Sequence, residues 1–183
     1  DLLDYAKNNN KQIVFDESFI DFANDSYSLI DDEILNKYTN LIVIKSISKS
    51  YGVPGIRLGV FATGNQEYIK IMKNSLPVWN INSFGEYFLQ IISLYKKDYI
   101  NACNMIKNER NEFYRELSNI KQLKVYDSQA NYFMCKLNEG QADKLAEFLL
   151  EYKKILIKVL NGKNGFSDGE YIRIAIKNSE ENK

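Results

Sequence analysis

The chain has 183 residues, 45% of them hydrophobic and 13% aromatic, which suffices for one sizeable core or a core plus a smaller lobe and rules out a disordered composition. Its 24 Lys and Arg balance its 24 Asp and Glu, so the basic footprint of a nucleic-acid binder is absent and a small-molecule partner is expected instead. With no histidine in the chain, His-based triads and His-containing zinc sites are excluded within it, and Cys103 and Cys135 lie too far apart in sequence for metal-ligand spacing, so no metal is expected.

No apolar run approaches the roughly 20 residues needed to cross a bilayer. The opening residues Asp1-Leu2-Leu3-Asp4 lack the positive start and apolar stretch of a signal peptide. The expectation is a cytoplasmic protein with no membrane partner.

In chain order, the first apolar run is Lys11–Asp16 (KQIVFD), read as a buried strand that delivers a carboxylate at its C-terminal end. Ser28–Thr39 carries Leu29, Ile30, Ile34, Leu35 and Tyr38 at nearly helical spacing, and Asn40–Ser46 (NLIVIKS) is a second buried run. Strand, helix, strand is the pattern of a parallel sheet, and Leu58–Ala62 is expected as a further strand of it. A helix over Asn65–Ser75 and a loop through Leu76-Pro77-Val78-Trp79 follow, with Trp79 expected to pack in a core. From Asn82 to Leu117 apolar residues recur every three or four positions, predicting one long helix or two in succession.

The remainder changes character. Short strands are predicted at Leu123–Tyr126, Tyr132–Leu137, Ile155–Leu160 and Tyr171–Ile176, with an amphipathic helix over Gln141–Tyr152 and a glycine-punctuated loop before the last strand. The fold class is therefore α/β, a mainly parallel sheet with helices over residues 1–80, a long connecting helix over 81–118, and a small α+β domain over 119–183.

The segment that decides the chemistry is Ser46-Ile47-Ser48-Lys49-Ser50-Tyr51-Gly52-Val53-Pro54-Gly55-Ile56-Arg57-Leu58-Gly59. Two hydroxyls, a lysine and an arginine in a turn-rich stretch after a buried strand can surround one phosphate and leave an amine beside it, a nucleophile suited to an aldehyde. On residue types alone a solvated loop whose Lys and Arg face water is the competing reading.

The spacing S-x-S-K followed by G-x-R-x-G closely resembles the cofactor-attachment segment of the class I and II aminotransferases, fold-type I enzymes dependent on pyridoxal 5'-phosphate. The likeness is strongest to the branch with histidinol-phosphate aminotransferase and threonine-phosphate decarboxylase. The resemblance implies that Lys49 forms the Schiff base with the cofactor and later moves protons at the substrate carbon, while Ser46, Ser48 and Arg57 bind the cofactor phosphate. In Val14-Phe15-Asp16-Glu17-Ser18-Phe19, Asp16 matches the family's acid at the end of a buried strand, which pairs with the pyridine nitrogen; a buried carboxylate there keeps that nitrogen protonated and the ring electron-accepting.

At Phe19 many relatives carry a tyrosine whose hydroxyl bonds the cofactor's phenolic oxygen, so this chain departs from the pattern at that cofactor-facing position. In Tyr171-Ile172-Arg173-Ile174-Ala175-Ile176, Arg173 matches the arginine that holds a substrate carboxylate, the alternative being an edge-strand arginine pointing to water. A weaker likeness lies in Pro77-Val78-Trp79-Asn80-Ile81-Asn82. DESF together with KSISKSYGVPG is also similar to aminotransferase-like regions fused behind a nucleotidyltransferase.

The resemblance implies transamination between an amino donor and a 2-oxo acid acceptor, with decarboxylation on the same scaffold as the alternative. It also implies a homodimer and, since members run to about twice this length, the C-terminal portion of such an enzyme. A fragment retained for dimerisation, and inactive alone, is the reading from a different class.

Overall fold

The computed structural model describes residues 1–24 and 27–182. The chain divides into two compact units, Asp1–Asn101 and Ala102–Lys183.

In the first unit, helix α1 (Leu2–Asn8) is capped by the Asp1 side chain, which accepts from the Leu3 N–H at 3.0 Å. Strand β1 (Ile13–Asp16) and strand β2 (Leu41–Ser46) pair in parallel, Ile13 opposite Leu41 and Asp16 opposite Ile44. Between them α2 covers only Asp32–Lys37, because Asp31 accepts from the Glu33 and Ile34 N–H groups and so starts the helix two residues past Ile30. Leu29 and Ile30 precede the helix. Leu41 and Val43 are fully buried beneath Leu3, Leu35 and Tyr38, which makes this face of the sheet the unit's core.

Strand β3 (Gly59–Ala62) joins the sheet antiparallel to β2, with Ser46 opposite Gly59 and Val43 opposite Ala62. The strand predicted at Leu58–Ala62 thus belongs to the sheet and runs antiparallel to its neighbour. Residues 47–58 hold only the short turns Ile47–Ser50 and Pro54–Ile56, with no crossover helix, and the Ile47 N–H donates to the Leu58 carbonyl, so the chain doubles back beside β2 as an antiparallel ladder. The sheet order is β1-β2-β3.

At Gly64 a Cβ would lie 2.1 Å from the Leu35 carbonyl oxygen. Gly64→Ala is therefore expected to force the turn after β3 away from α2 and to destabilise the fold by about 1–3 kcal/mol. The check is the urea midpoint, which should fall with an unchanged slope; an unchanged midpoint would mean the turn moves freely.

Helix α4 (Gln66–Ser75) is capped by Asn65, and α5 (Ser83–Ile91) by Asn82, whose Oδ1 accepts from the Gly85 N–H at 2.9 Å. The 3-10 turn Ile92–Tyr95 leads into α6 (Lys96–Ser118), so the long apolar pattern is two helices in succession. Trp79 does not pack among the described residues: it is 89% exposed on the turn after α4, where Pro77 has ended the helix.

The second unit holds an antiparallel sheet in the order β4-β5-β7-β6, formed by β4 (Leu123–Val125), β5 (Tyr132–Leu137), β6 (Lys158–Val159) and β7 (Glu170–Ala175). Phe113 and Leu117 of α6 pack on Phe133, Cys135 and Ile172 of the sheet, with Ala142 of α7 (Ala142–Phe148). Burial pushes the Cys135 thiol up to about 11 and lowers the pKa of the buried Arg110, which donates from Nη1 to the Ala130 carbonyl at 3.3 Å.

The predicted helix over Gln141–Tyr152 narrows to α7 followed by a π turn at Leu149–Lys153, closed by Lys154 in a left-handed conformation with φ of 58°. That reversal leaves Ile155 and Leu156 exposed, so the predicted strand Ile155–Leu160 shrinks to the two residues of β6.

Candidate active site

Lys49 sits in a single helical turn, α3 (Ile47–Ser50), on the connection between β2 and β3. Its backbone position is held from both sides. The Ile47 N–H donates to the Leu58 carbonyl at 3.1 Å, and Tyr51 stacks on Tyr99, ring centroids 3.9 Å apart, and meets Phe88 edge-on at 5.9 Å. The turn is thus pinned to the sheet at one end and to α5 and the start of α6 at the other. The Lys49 side chain remains exposed, its Nζ 4.5 Å from the centroid of the Phe19 ring. Among the described residues it has no ion pair or hydrogen bond.

Asp16 ends β1, on the strand adjacent to the one that leads into the Lys49 turn. Its Oδ1 accepts from both the Ser18 N–H, at 2.9 Å, and the Ser18 hydroxyl, at 2.5 Å. These bonds from Ser18, assisted by the positive charge of Lys49, hold its carboxyl below the usual carboxylate range against a small opposing effect of burial. The sequence implied a buried acid, and here Asp16 is exposed. The reason is its place on the sheet: β1 is an edge strand whose residues alternate, Ile13 and Phe15 facing the core while Val14 and Asp16 face away from it.

Ser46 occupies the N-cap of α3 and its side chain makes no capping hydrogen bond, while Ser48 is buried within the same turn. Both belong to the segment that carries Lys49. Ser50 Oγ is buried without a hydrogen-bond partner among the described residues.

Arg57 follows the 3-10 turn Pro54–Ile56 in a left-handed backbone conformation, φ 60° and ψ 41°, which costs a non-glycine residue about 1 kcal/mol. Its guanidinium is exposed and donates from Nη1 to the Pro54 carbonyl at 3.2 Å, leaving most of its N–H donors for water or an anion. The loop itself is tied to α5, since Asn82 Nδ2 donates to the Ile56 carbonyl at 2.8 Å.

Arg173 lies in the second unit on β7, between β5 and β6, so it is not on an edge strand. It is exposed, its guanidinium 4.9 Å from the centroid of the Tyr132 ring, with no ion pair among the described residues.

Three further residues of the first unit stand close to the site without a motif to mark them. Ser18 is 5% exposed and bonds both Asp16 and, by accepting at 3.0 Å, the Ser46 N–H. Glu17 is buried, its carboxylate accepting from the Ser28 hydroxyl and the Leu29 N–H, both at 2.6 Å. Asp21 pairs with Lys45 at 2.7 Å. An acid and a serine directly after a strand-ending aspartate were the available signal for the first two, since such residues turn back on the strand end.

A carboxylate, an unpaired amine, two serines of one turn and an arginine with most of its donors open thus lie at one end of the sheet. The chain belongs to the family of class I and II aminotransferases, whose model matches residues 1–183 and whose cofactor is pyridoxal 5'-phosphate.

More particularly, it is 39% identical over 189 residues to an L-serine phosphate decarboxylase of Campylobacter jejuni, covering 98% of this chain and 46% of that protein. It is 34% identical to the histidinol-phosphate aminotransferase of Clostridium novyi, covering 100% of this chain and 48% of that one. Among solved structures, the histidinol-phosphate aminotransferase of Clostridium acetobutylicum superposes with a TM-score of 0.87 at 32% identity, over 99% of this chain and 54% of its own. The chain spans about half the length of the relatives it matches.

Proposed function

We propose that this chain supplies the lysine-bearing half of the active site of a pyridoxal-phosphate enzyme that acts on an amino acid, or an amine derived from one, carrying a phosphate. The observation that carries it is the free Lys49 amine held on a short, pinned turn next to the strand that ends in an ionised Asp16. The phosphate in the substrate class is supported by the relatives, whose names include serine phosphate, histidinol phosphate and, for a protein of Caldanaerobacter subterraneus, threonine phosphate.

The residues present fit the cofactor. Ser46, Ser48 and Arg57 would hold its phosphate, Asp16 its ring nitrogen in the protonated form, and Lys49 its aldehyde carbon. Phe19 fits less well, offering a ring face in place of a hydroxyl. Once bound, the cofactor supplies an electron-accepting ring that stabilises negative charge at the substrate α-carbon. Lys49 would hold the cofactor's aldehyde carbon and would be the base for the proton that leaves the substrate α-carbon. Arg173 matches, by resemblance alone, the arginine that would hold a substrate carboxylate.

Proton removal followed by hydrolysis is transamination with a 2-oxo acid acceptor, the reading the family supports. Loss of carbon dioxide is the second reading, supported by the higher identity to the serine-phosphate decarboxylase, 39% against 34% for the aminotransferase. We also propose that the whole protein is a homodimer. Val78, Trp79, Phe84, Tyr87 and Leu94 are 62–93% exposed, an apolar surface that a second copy would cover.

The test is an assay of the intact protein with added cofactor on phosphoserine, phosphothreonine and histidinol phosphate, with 2-oxoglutarate present. Oxo product and glutamate mean transamination; carbon dioxide and a phosphorylated amine mean decarboxylation. Turnover of unphosphorylated amino acids alone would sink the substrate class, and light scattering that finds an active monomer would sink the dimer.

A further inference from the structure

The Asp16 carboxylate and the Lys49 turn come from different strands, and something has to keep them in register. Strand pairing does part of this: Asp16 stands opposite Ile44, and the Glu17 N–H donates to the Ile44 carbonyl at 2.8 Å. Beyond that point β1 turns away into residues 17–22 while β2 runs on into Ser46 and α3, so the ladder no longer links them. One side chain bridges the gap. The buried Ser18 hydroxyl donates to Asp16 Oδ1 and accepts from the Ser46 N–H, and the Ser18 backbone N–H donates to the same Asp16 oxygen.

We propose that Ser18 is a positioning residue of the site, its hydroxyl coupling the Asp16 carboxylate to the start of the Lys49 turn. The role rests on the reading of Asp16 and Lys49 given above.

The chemistry of the bridge follows from what each group can do. A hydroxyl offers one proton and accepts at its lone pairs, so Ser18 can serve an anion on one side and an amide on the other only in the orientation seen. Protonating Asp16 would remove that proton's best acceptor, so the bridge favours the ionised acid, in line with the lowered pKa of Asp16, whose largest cause is this hydroxyl. Arg57, on the turn that leads into β3, bonds the Pro54 carbonyl and is not among the charges that shift Asp16. Lys49 acts on Asp16 through space from α3, Lys45 is paired with Asp21, and Glu17 is turned toward Ser28 and Leu29. Removing the hydroxyl would also leave the Ser46 N–H without its acceptor at the first residue of the turn, which loosens the Lys49 segment.

The experiment uses the intact protein with Ser18→Ala, and with Ser18→Thr as the variant that keeps a hydroxyl. The carboxyl titration of Asp16 is followed by carbon NMR without cofactor, together with amide exchange at Ser46. Expected are an Asp16 midpoint shifted upward and Ser46 exchange roughly five- to tenfold faster in Ser18→Ala, the loss of about one hydrogen bond, with both near wild type in Ser18→Thr.

If Ser18→Ala fails to fold, Ser18→Cys, a near-isostere with a weaker donor, must show the upward shift. An Asp16 midpoint unmoved in the folded Ala or Cys variant overturns the proposal. Cofactor binding is scored separately by visible absorbance: wild-type protein that binds none, with an Asp16 midpoint that still moves in Ser18→Ala, removes the proposed function and leaves the bridge standing.

Discussion

Lys49→Ala is expected to abolish covalent capture of pyridoxal phosphate and to lower turnover by on the order of 10³-fold or more, since the one side chain acts both as the amine that bonds the aldehyde and as the group that moves the α-carbon proton. The fold should be untouched, because the Lys49 side chain is exposed and, among the described residues, its close partner is the face of Phe19. The measurement is borohydride reduction of the cofactor-loaded intact protein followed by mass mapping of the tryptic peptides. Wild type should carry the reduced cofactor on Lys49 and the alanine variant on no lysine. A label on another lysine, or full activity in the variant, would show that Lys49 is a surface lysine in a solvated loop. Lys45 is the nearest alternative in sequence and makes a useful control, since its ammonium is already tied to Asp21 at 2.7 Å.

Asp16→Asn should be the next most damaging change to function, costing roughly 10- to 100-fold in turnover, the worth of a hydrogen bond to a charged group. Its pH behaviour separates it from a general loss of fold. The Asp16 carboxyl lies below the ordinary carboxylate value in the folded chain, so the stabilisation gained from its ionised form is present above that ordinary value and is lost as pH falls through the lowered one. Wild-type activity should therefore hold across neutral and mildly acidic pH and fall only on the acid side of the usual carboxylate range. Asparagine, which does not titrate, should flatten that acid limb while lowering the plateau. An acid limb unchanged by the substitution would assign it to a different group.

Ser18 and Asp16 together show where sequence and structure part. The strand ending in Asp16, the following strand, the Lys49 segment and Arg173 were all legible, because buried strands announce themselves as short runs of Val, Ile, Leu and Phe and because turn residues cluster between them. Element boundaries were less so. Asp31 and Asn82 set where α2 and α5 begin through side-chain caps, and the left-handed Lys154 ended a helix and cut a predicted strand to two residues. Such decisions rest on single hydrogen bonds and backbone angles that hydrophobic periodicity does not register. Trp79 illustrates the opposite error, since an aromatic residue in an apolar stretch suggests packing, yet only neighbours in space decide whether it is covered.

The sequence by itself determined that this is an α/β chain with a lysine on a short hydroxyl-rich connection after a buried strand, an acid at the end of the strand before it, and an arginine on a late strand. Residue types and spacing suffice for that, because each is a local property of the chain. Only the tertiary structure decided that the connection carrying Lys49 joins antiparallel strands, that Asp16 sits on the open face of an edge strand, that Arg173 lies on an interior strand, and that a buried serine ties the acid to the lysine turn. Those facts depend on strand pairing and on hydrogen bonds between residues as many as 28 positions apart, which no local pattern encodes.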